Sequence, residues 1–132
     1  NNGAPSRLFL QNSGGNVGIN SNAAEPLAAL DVNGTVKFGS AGTVLAAVIK
    51  ETVSTASLLI PANTTSVQTY TISNTVTTAS VLVSPATAIN AGLIIAYARV
   101  SALGTVEVAY RNTTGAGITL NSGINLFITA IQ

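Results

Sequence analysis

Almost a third of this chain is β-branched: Thr, Val and Ile supply 41 of its 132 residues. Two heavy atoms on Cβ crowd the preceding turn of a helix but suit the open surface of a pleated strand, so the composition argues for strands throughout. Turn signals recur at short intervals, at Ser13-Gly14-Gly15, Asn33-Gly34, Ala41-Gly42, Pro61-Ala62-Asn63, Ser84-Pro85, Asn90-Ala91-Gly92, Leu103-Gly104, Gly115-Ala116-Gly117 and Asn121-Ser122-Gly123. This spacing predicts an all-β protein built as an antiparallel β-sandwich or jelly roll.

Alternation assigns several strand faces. Gln68, Tyr70 and Ile72 share one face and Val67, Thr69 and Thr71 the other, which turns Tyr70 and Ile72 inward; Val81 and Val83 likewise point inward before Pro85 ends their run. In the last strand Ile124, Leu126, Ile128 and Ala130 line one face, yet Phe127 and Ile131 stand on the other beside Asn125 and Thr129. A strand apolar on both faces is either central in its sheet or turned toward another subunit. Residues 95–111 predict a hairpin turning at Ala102-Leu103-Gly104, with Gly104 in the left-handed conformation. With Ser101 opposite Thr105, Arg99 faces Glu107 and Tyr97 faces Ala109 on one side, while Ala98 meets Val108 and Val100 meets Val106 on the other. An exposed Arg99–Glu107 pair is worth only ~0–1 kcal/mol.

The chain changes character near residue 43. Residues 1–43 are rich in Gly and Asn, with short candidate strands at 7–11 and 35–38 and a scrap of helix or turn at 23–30. They hold too few large apolar side chains to form a core alone and need a partner surface. Residues 44–132 are denser in apolar residues, as a self-sufficient sandwich requires. The opening Asn1-Asn2-Gly3, with neither initiator Met nor leader, reads as a processed product or an excised piece of something longer.

Composition excludes most chemistries. With no Cys, His, Met or Trp, the chain offers no disulfide, thiolate or imidazole and none of the usual zinc ligand sets. Its four carboxylates, Glu25, Asp31, Glu51 and Glu107, show no spacing that pairs two across a cleft as glycoside hydrolysis requires. Neither Lys37 nor Lys50 stands in a Ser-Lys motif. The run Gly14-Gly15-Asn16-Val17-Gly18 lacks the Lys-Ser/Thr ending of a phosphate loop, and no Asp-rich loop marks a calcium site. We therefore expect no enzymatic activity, no cofactor and no metal. Only 7% of residues are charged and the net charge is +1, too little basic surface to hold a nucleic acid. No apolar run approaches the ~18 residues of a membrane span, so no membrane insertion is expected. Asn-x-Thr triplets begin at Asn33, Asn63 and Asn112, but in a chain this rich in Asn and Thr such triplets arise by chance.

The aromatic residues are Phe9, Phe38, Tyr70, Tyr97, Tyr110 and Phe127. Sugar-binding surfaces use aromatic platforms with Asn or Arg nearby, which makes Tyr97 with Arg99 the best candidate for ligand contact. The competing use is that Tyr97 packs on a neighbouring subunit or covers a sheet face.

Gly15-Asn16-Val17-Gly18-Ile19-Asn20, then Pro26, then Leu30-Asp31-Val32-Asn33-Gly34-Thr35-Val36 resembles a module of bacteriophage tail fibres and related trimeric adhesins. That module reads G-N-V-G-I-G, a short spacer with Pro, then L-D-V-N-G; the match spans residues 8–38, with Asn20 where Gly is common. A second stretch covers 52–131: Ile60-Pro61-Ala62-Asn63-Thr64-Thr65, Ala91-Gly92-Leu93, Ala98-Arg99-Val100-Ser101-Ala102, Gly104-Thr105-Val106-Glu107-Val108 and Asn112-Thr113-Thr114-Gly115. It is similar to a small β domain found at the ends of phage structural proteins, with Ala79-Ser80 where that domain often carries Gly-Asp.

The two resemblances imply an extracellular, virion-surface fibre or spike: a homotrimer with a short interwoven stalk, 1–43, and a β-sandwich head, 44–132. The head would adhere to host-surface polysaccharide, and the fibre would contact other virion proteins. The alternative is a capsid-decorating head fibre or another extracellular filament subunit without a receptor; a depolymerising tailspike is disfavoured for want of placed carboxylates. In such a trimer Phe9, Leu10, Val17, Ile19, Leu30, Val32 and Phe38 lose water to neighbouring chains, joined in the head by Phe127 and Ile131.

Overall fold

The computed structural model describes residues 17–19 and 28–132. Among the described residues the chain is all-β and contains no helix. It divides into two units, Asn1–Ala46 and Ala47–Gln132.

In the first unit β1 (Val17–Ile19) runs parallel to β2 (Leu30–Val32), with Val17 beside Leu30 and Ile19 beside Val32. Strands β3 (Val36–Lys37) and β4 (Val44–Leu45) pair antiparallel. Gly39, at φ 75°, reverses the chain between them, and the Gly42 amide closes the turn on the Gly39 carbonyl at 3.4 Å. A Cβ at Gly42 would lie 1.9 Å from the Phe38 carbonyl oxygen, so only glycine fits. The strand expected at 35–38 is thus confined to its two central residues. The strand expected at 7–11, with Phe9 and Leu10, and residues 23–27 of the expected helix or turn lie outside the described residues; Leu30 opens β2.

The second unit holds β5 (Val48–Ser54), β6 (Leu58–Ile60), β7 (Thr65–Thr71), β8 (Ser80–Pro85), β9 (Leu93–Ala102), β10 (Thr105–Asn112), β11 (Ile118–Leu120) and β12 (Asn125–Ile131). The antiparallel pairings nest: β5 with β12, β6 with β11, β7 with β10. This is a long ribbon folded over on itself, the pairing pattern of a jelly roll. Strand β8 adds to β12 and β9 to β10, giving three-stranded sheets β5-β12-β8 and β7-β10-β9 beside the two-stranded β6-β11 ribbon.

Both sheets close on one core. Leu126 and Ile128 of β12 meet Val106, Val108 and Tyr110 of β10, with Tyr70, Ile72 and Val100 from the flanking strands and Ile60 and Leu120 from the ribbon. Each large apolar side chain contributes ~1.5–3 kcal/mol when fully buried. Tyr70 and Ile72 are buried and Val81 and Val83 half-buried, as their alternation requires. Strand β12 is central in its sheet, with Leu126, Ile128 and Ala130 buried on one face and Phe127 exposed on the other.

Two tyrosine hydroxyls inside this core are satisfied in series. The Tyr70 hydroxyl donates to Gln68 Oε1 at 2.6 Å, so the proton between the two phenols, 3.1 Å apart, is supplied by Tyr110. The Gln68 amide then bonds both backbone groups of Ala56. Burial raises the pKa of both phenols; in Tyr110 its bond to Tyr70 adds to the rise, whereas in Tyr70 the bond from Tyr110 opposes it.

Candidate functional site

The hairpin of β9 and β10 builds the surface that carries Tyr97 and Arg99. Leu103-Gly104 forms its turn, with Gly104 at φ 71°, a conformation glycine adopts without steric cost. The turn is stitched to the end of β7: Ile72 N–H donates to the Gly104 carbonyl and Gly104 N–H to the Thr75 carbonyl, both at 2.9 Å. Thr105 pairs with Ala102 and not with Ser101. Ser101 is the extra residue of a bulge that tightens the turn, and its hydroxyl reaches the Thr105 carbonyl at 3.4 Å. Beyond that bulge the register is Val106 with Val100, Glu107 with Arg99, Val108 with Ala98 and Ala109 with Tyr97. A second bulge then inserts Ala96, so that Ile94 stands opposite Arg111.

Strand β7 completes the outer face as three cross-strand rows. These are Thr69, Glu107 and Arg99; Val67, Ala109 and Tyr97; and Thr65, Arg111 and Ile94. Within it, Glu107 Oε1 accepts the Tyr97 hydroxyl at 2.9 Å and Arg99 Nε at 3.2 Å. The Arg99 side chain is 61% exposed and that of Glu107 14%. The hydrogen bond to the Glu107 carboxylate raises the Tyr97 pKa above its ordinary value; partial burial and the Glu107 charge add to the rise, and Arg99 opposes it. At neutral pH the phenol is therefore a donor, held by a carboxylate that also anchors a guanidinium.

Arg111 and Ala109 belong to the same face. The two-residue period from Glu107 through Ala109 to Arg111 places all three there, so the sequence signal existed in the strand pattern. Glu107 faces outward from β7-β10-β9, while Glu51 lies on the other sheet, in register with Ile128.

The remaining interface candidates fall on other surfaces. Phe127 and Ile131 lie on the outer face of β5-β12-β8, where Phe127, Val48 and Leu82 are exposed and Ile131 half-buried. Lys50 Nζ sits 5.8 Å from the Phe127 ring centroid, a cation–π contact. In the first unit Ile19, Leu30 and Phe38 are exposed and Val17 and Val32 half-buried. Of the three Asn-x-Thr triplets, the one at Asn112 is structural. Its buried amide donates to the Ile60 and Ala116 carbonyls and accepts from the Thr114 amide and hydroxyl.

Among the described residues no cluster of three or more acidic side chains could hold a metal ion, and no helix is long and apolar enough to cross a membrane. Compared with models of protein families, with curated proteins and with solved structures, the chain matches none.

Proposed function

We propose that this chain is a structural, non-enzymatic subunit of a virion-surface fibre or spike, a homotrimer whose sandwich adheres to host-surface polysaccharide. The observation that carries the reading is the exposure of large apolar side chains in the first unit: Ile19 at 49%, Leu30 at 58% and Phe38 at 72%. Strands of two or three residues give these side chains no sheet of their own to pack beneath. Burial against neighbouring chains would recover ~1.5–3 kcal/mol for each large side chain. The number three comes from the resemblance of residues 15–36 to the trimeric fibre module. Repeated copies then give adhesion its strength through avidity, without demanding tight binding at any one site.

A second reading, a capsid-decorating fibre or another extracellular filament subunit without a receptor, draws on the apolar outer face of β5-β12-β8. Val48 at 62% and Leu82 at 57% exposure suit packing against a neighbour. Sedimentation velocity on the full chain separates the two. The trimer predicts a species of three times the 13.2 kDa subunit mass, shifted toward the subunit by Phe38→Ser combined with Leu30→Ser. A 13.2 kDa species in dilute solution would refute association, and a closed ring or array of another order would favour the second reading.

A further inference from the structure

Ala109 points outward from the central strand of β7-β10-β9, yet it is wholly removed from water. Water can be kept from an outward methyl only by larger side chains laid over it. Tyr97 stands directly across from Ala109, and its hydroxyl reaches Glu107 Oε1, two residues along β10. Val67 flanks Ala109 on its other side in the same row, and a Tyr97 ring tied to Glu107 leans along the sheet, so that the two side chains together shield Ala109. An overall exposure of 45% leaves much of the ring open to solvent. The Glu107 bond fixes the rotamer in advance, so a ligand stacking on the ring loses little further side-chain entropy. An open aromatic face attracts partly positive C–H groups, such as those on the less polar side of a pyranose ring.

The charges around this plate are unequal. Glu107 is already engaged twice and its side chain is 14% exposed. Arg99 meets it through Nε, and its side chain is 61% exposed. Arg111, exposed in the next row beyond the ring, has Thr65 and Ile94 as cross-strand neighbours and no ion pair among the described residues. The Glu107 and Arg111 rows lie four residues apart on β10, about 13 Å at strand rise. An extended chain laid along the face crosses both rows and the ring between them. Thr65 and Thr69 add hydroxyls along the same face. A nucleic acid would need a larger cluster of cations than two guanidinium groups beside a carboxylate.

Resting on the adhesion reading above, we propose that the outer face of β7-β10-β9 binds a carboxylate-bearing polysaccharide, a polyuronate, with Tyr97 as stacking platform and Arg99 and Arg111 as carboxylate forks. The test is calorimetric titration of the full chain with oligomers of galacturonate, glucuronate and mannuronate, each beside its carboxyl-reduced neutral form. At least one acidic series is expected to bind about tenfold more tightly than its neutral form, the scale of one charge-assisted hydrogen bond, and to weaken as salt rises. Tyr97→Ala and Arg111→Gln should each cost a similar factor, Tyr97→Phe should retain most of the binding, and Leu82→Ser on the opposite sheet should leave it unchanged, with thermal unfolding confirming that each variant folds. Equal binding of acidic and neutral forms, no binding of any acidic series, or wild-type affinity in both Tyr97→Ala and Arg111→Gln would overturn the assignment. A parallel array of neutral and acidic bacterial surface polysaccharides separates this failure from that of adhesion. Retention that ignores Tyr97→Ala removes this site and leaves adhesion standing, whereas retention on none removes adhesion as well. A Tyr97→Ala variant that changes sedimenting mass but not glycan retention would make the face a subunit contact and overturn the proposal.

Discussion

Replacing Asn112 by Ala tests whether one buried amide holds the loops at the Arg111 end of the sandwich. Asn112 Nδ2 donates to the Ile60 carbonyl at 3.0 Å and the Ala116 carbonyl at 2.7 Å, and Oδ1 accepts from Thr114 N and Oγ1 at 2.8 Å each. Its backbone amide bonds the Thr64 carbonyl, while neighbouring bonds join Asn63 to Thr114 and Thr113 to Gly92. Three loops therefore converge on this side chain. Truncation takes from the Ile60 carbonyl, which also faces Ile118 in the β6-β11 ladder, its side-chain partner in the core, a loss of about 0.5–1.5 kcal/mol. The three groups at Ala116 and Thr114 are partly exposed and recover water, so each of those bonds loses only about 0.5–1 kcal/mol. The total, about 2–4.5 kcal/mol, is a large share of the ~5–15 kcal/mol that holds a domain of this size together. Urea unfolding should show it as a lower midpoint at unchanged slope. Asn112→Asp sharpens the test, because the new carboxylate would be buried facing two carbonyl oxygens. Its pKa in the folded state must lie above the ~3.9 of an unfolded Asp, so the added penalty is absent below that pH and grows as pH rises toward the folded value. A loss under 0.5 kcal/mol in Asn112→Ala, or an Asn112→Asp variant with the pH profile of the wild type, would refute the reasoning.

Tyr70, Tyr97 and Tyr110 all have pKa values raised above 10.0, so phenolate absorbance of the native chain should lag behind that of the unfolded chain in alkaline titration. Stability is correspondingly intact below the unfolded value of about 10 and lost as pH rises through the folded values; Glu107→Gln should move the Tyr97 midpoint back toward 10, and an unmoved midpoint would count against the Tyr97–Glu107 bond. Gly92→Ala should cost more than Gly104→Ala in chemical denaturation. A Cβ at Gly92, at φ 87°, would lie 2.6 Å from Thr114 Cγ2 and 2.8 Å from Ile118 Cδ1, whereas at Gly104 the nearest atom is 4.0 Å away and the cost is the left-handed backbone alone, ~1–2 kcal/mol. Equal losses at the two positions would contradict the packing at Gly92.

The sandwich was legible wherever one face of a strand is buried and the other wet. The pattern in β7 gave Tyr70 and Ile72, and the pattern in β12 gave Leu126, Ile128 and Ala130, because burial on one side enforces period two. The Arg99–Glu107 register was legible because a turn and two alternating runs fix a hairpin locally. What escaped was the bulge at Ser101, since a single extra residue leaves the residue types on each face unchanged and shows only in the bonds around Gly104. The nested pairing of β5 with β12 and β6 with β11 escaped for another reason: these partners are distant in sequence, and no short-range pattern selects among the possible pairings. The role of Asn112 was hidden because an Asn-Thr-Thr triplet reads the same whether its amide faces water or the buried Ile60 carbonyl.

The edges of the two sheets bear on how such a chain can assemble. Unprotected edge strands pair with other chains and grow without limit. Here β9 is an edge interrupted by two bulges, and β8 ends at Pro85, which has no amide hydrogen to donate. Beside β7, the Gln68 amide holds the backbone of Ala56. Edge strand β5 places Glu51 on the side of Ile49 and Val53, where a charge resists burial under an added strand. Association of the second unit is thereby steered from edge to face, and the two outer faces differ in kind. One presents Val48, Leu82 and Phe127, whose removal from water favours a neighbour. The other presents a tethered Tyr97 with Arg99 and Arg111, the groups to which the proposed polysaccharide contact is assigned. Packing through the apolar face leaves the tyrosine face open in every copy, the arrangement that adhesion by many weak contacts requires.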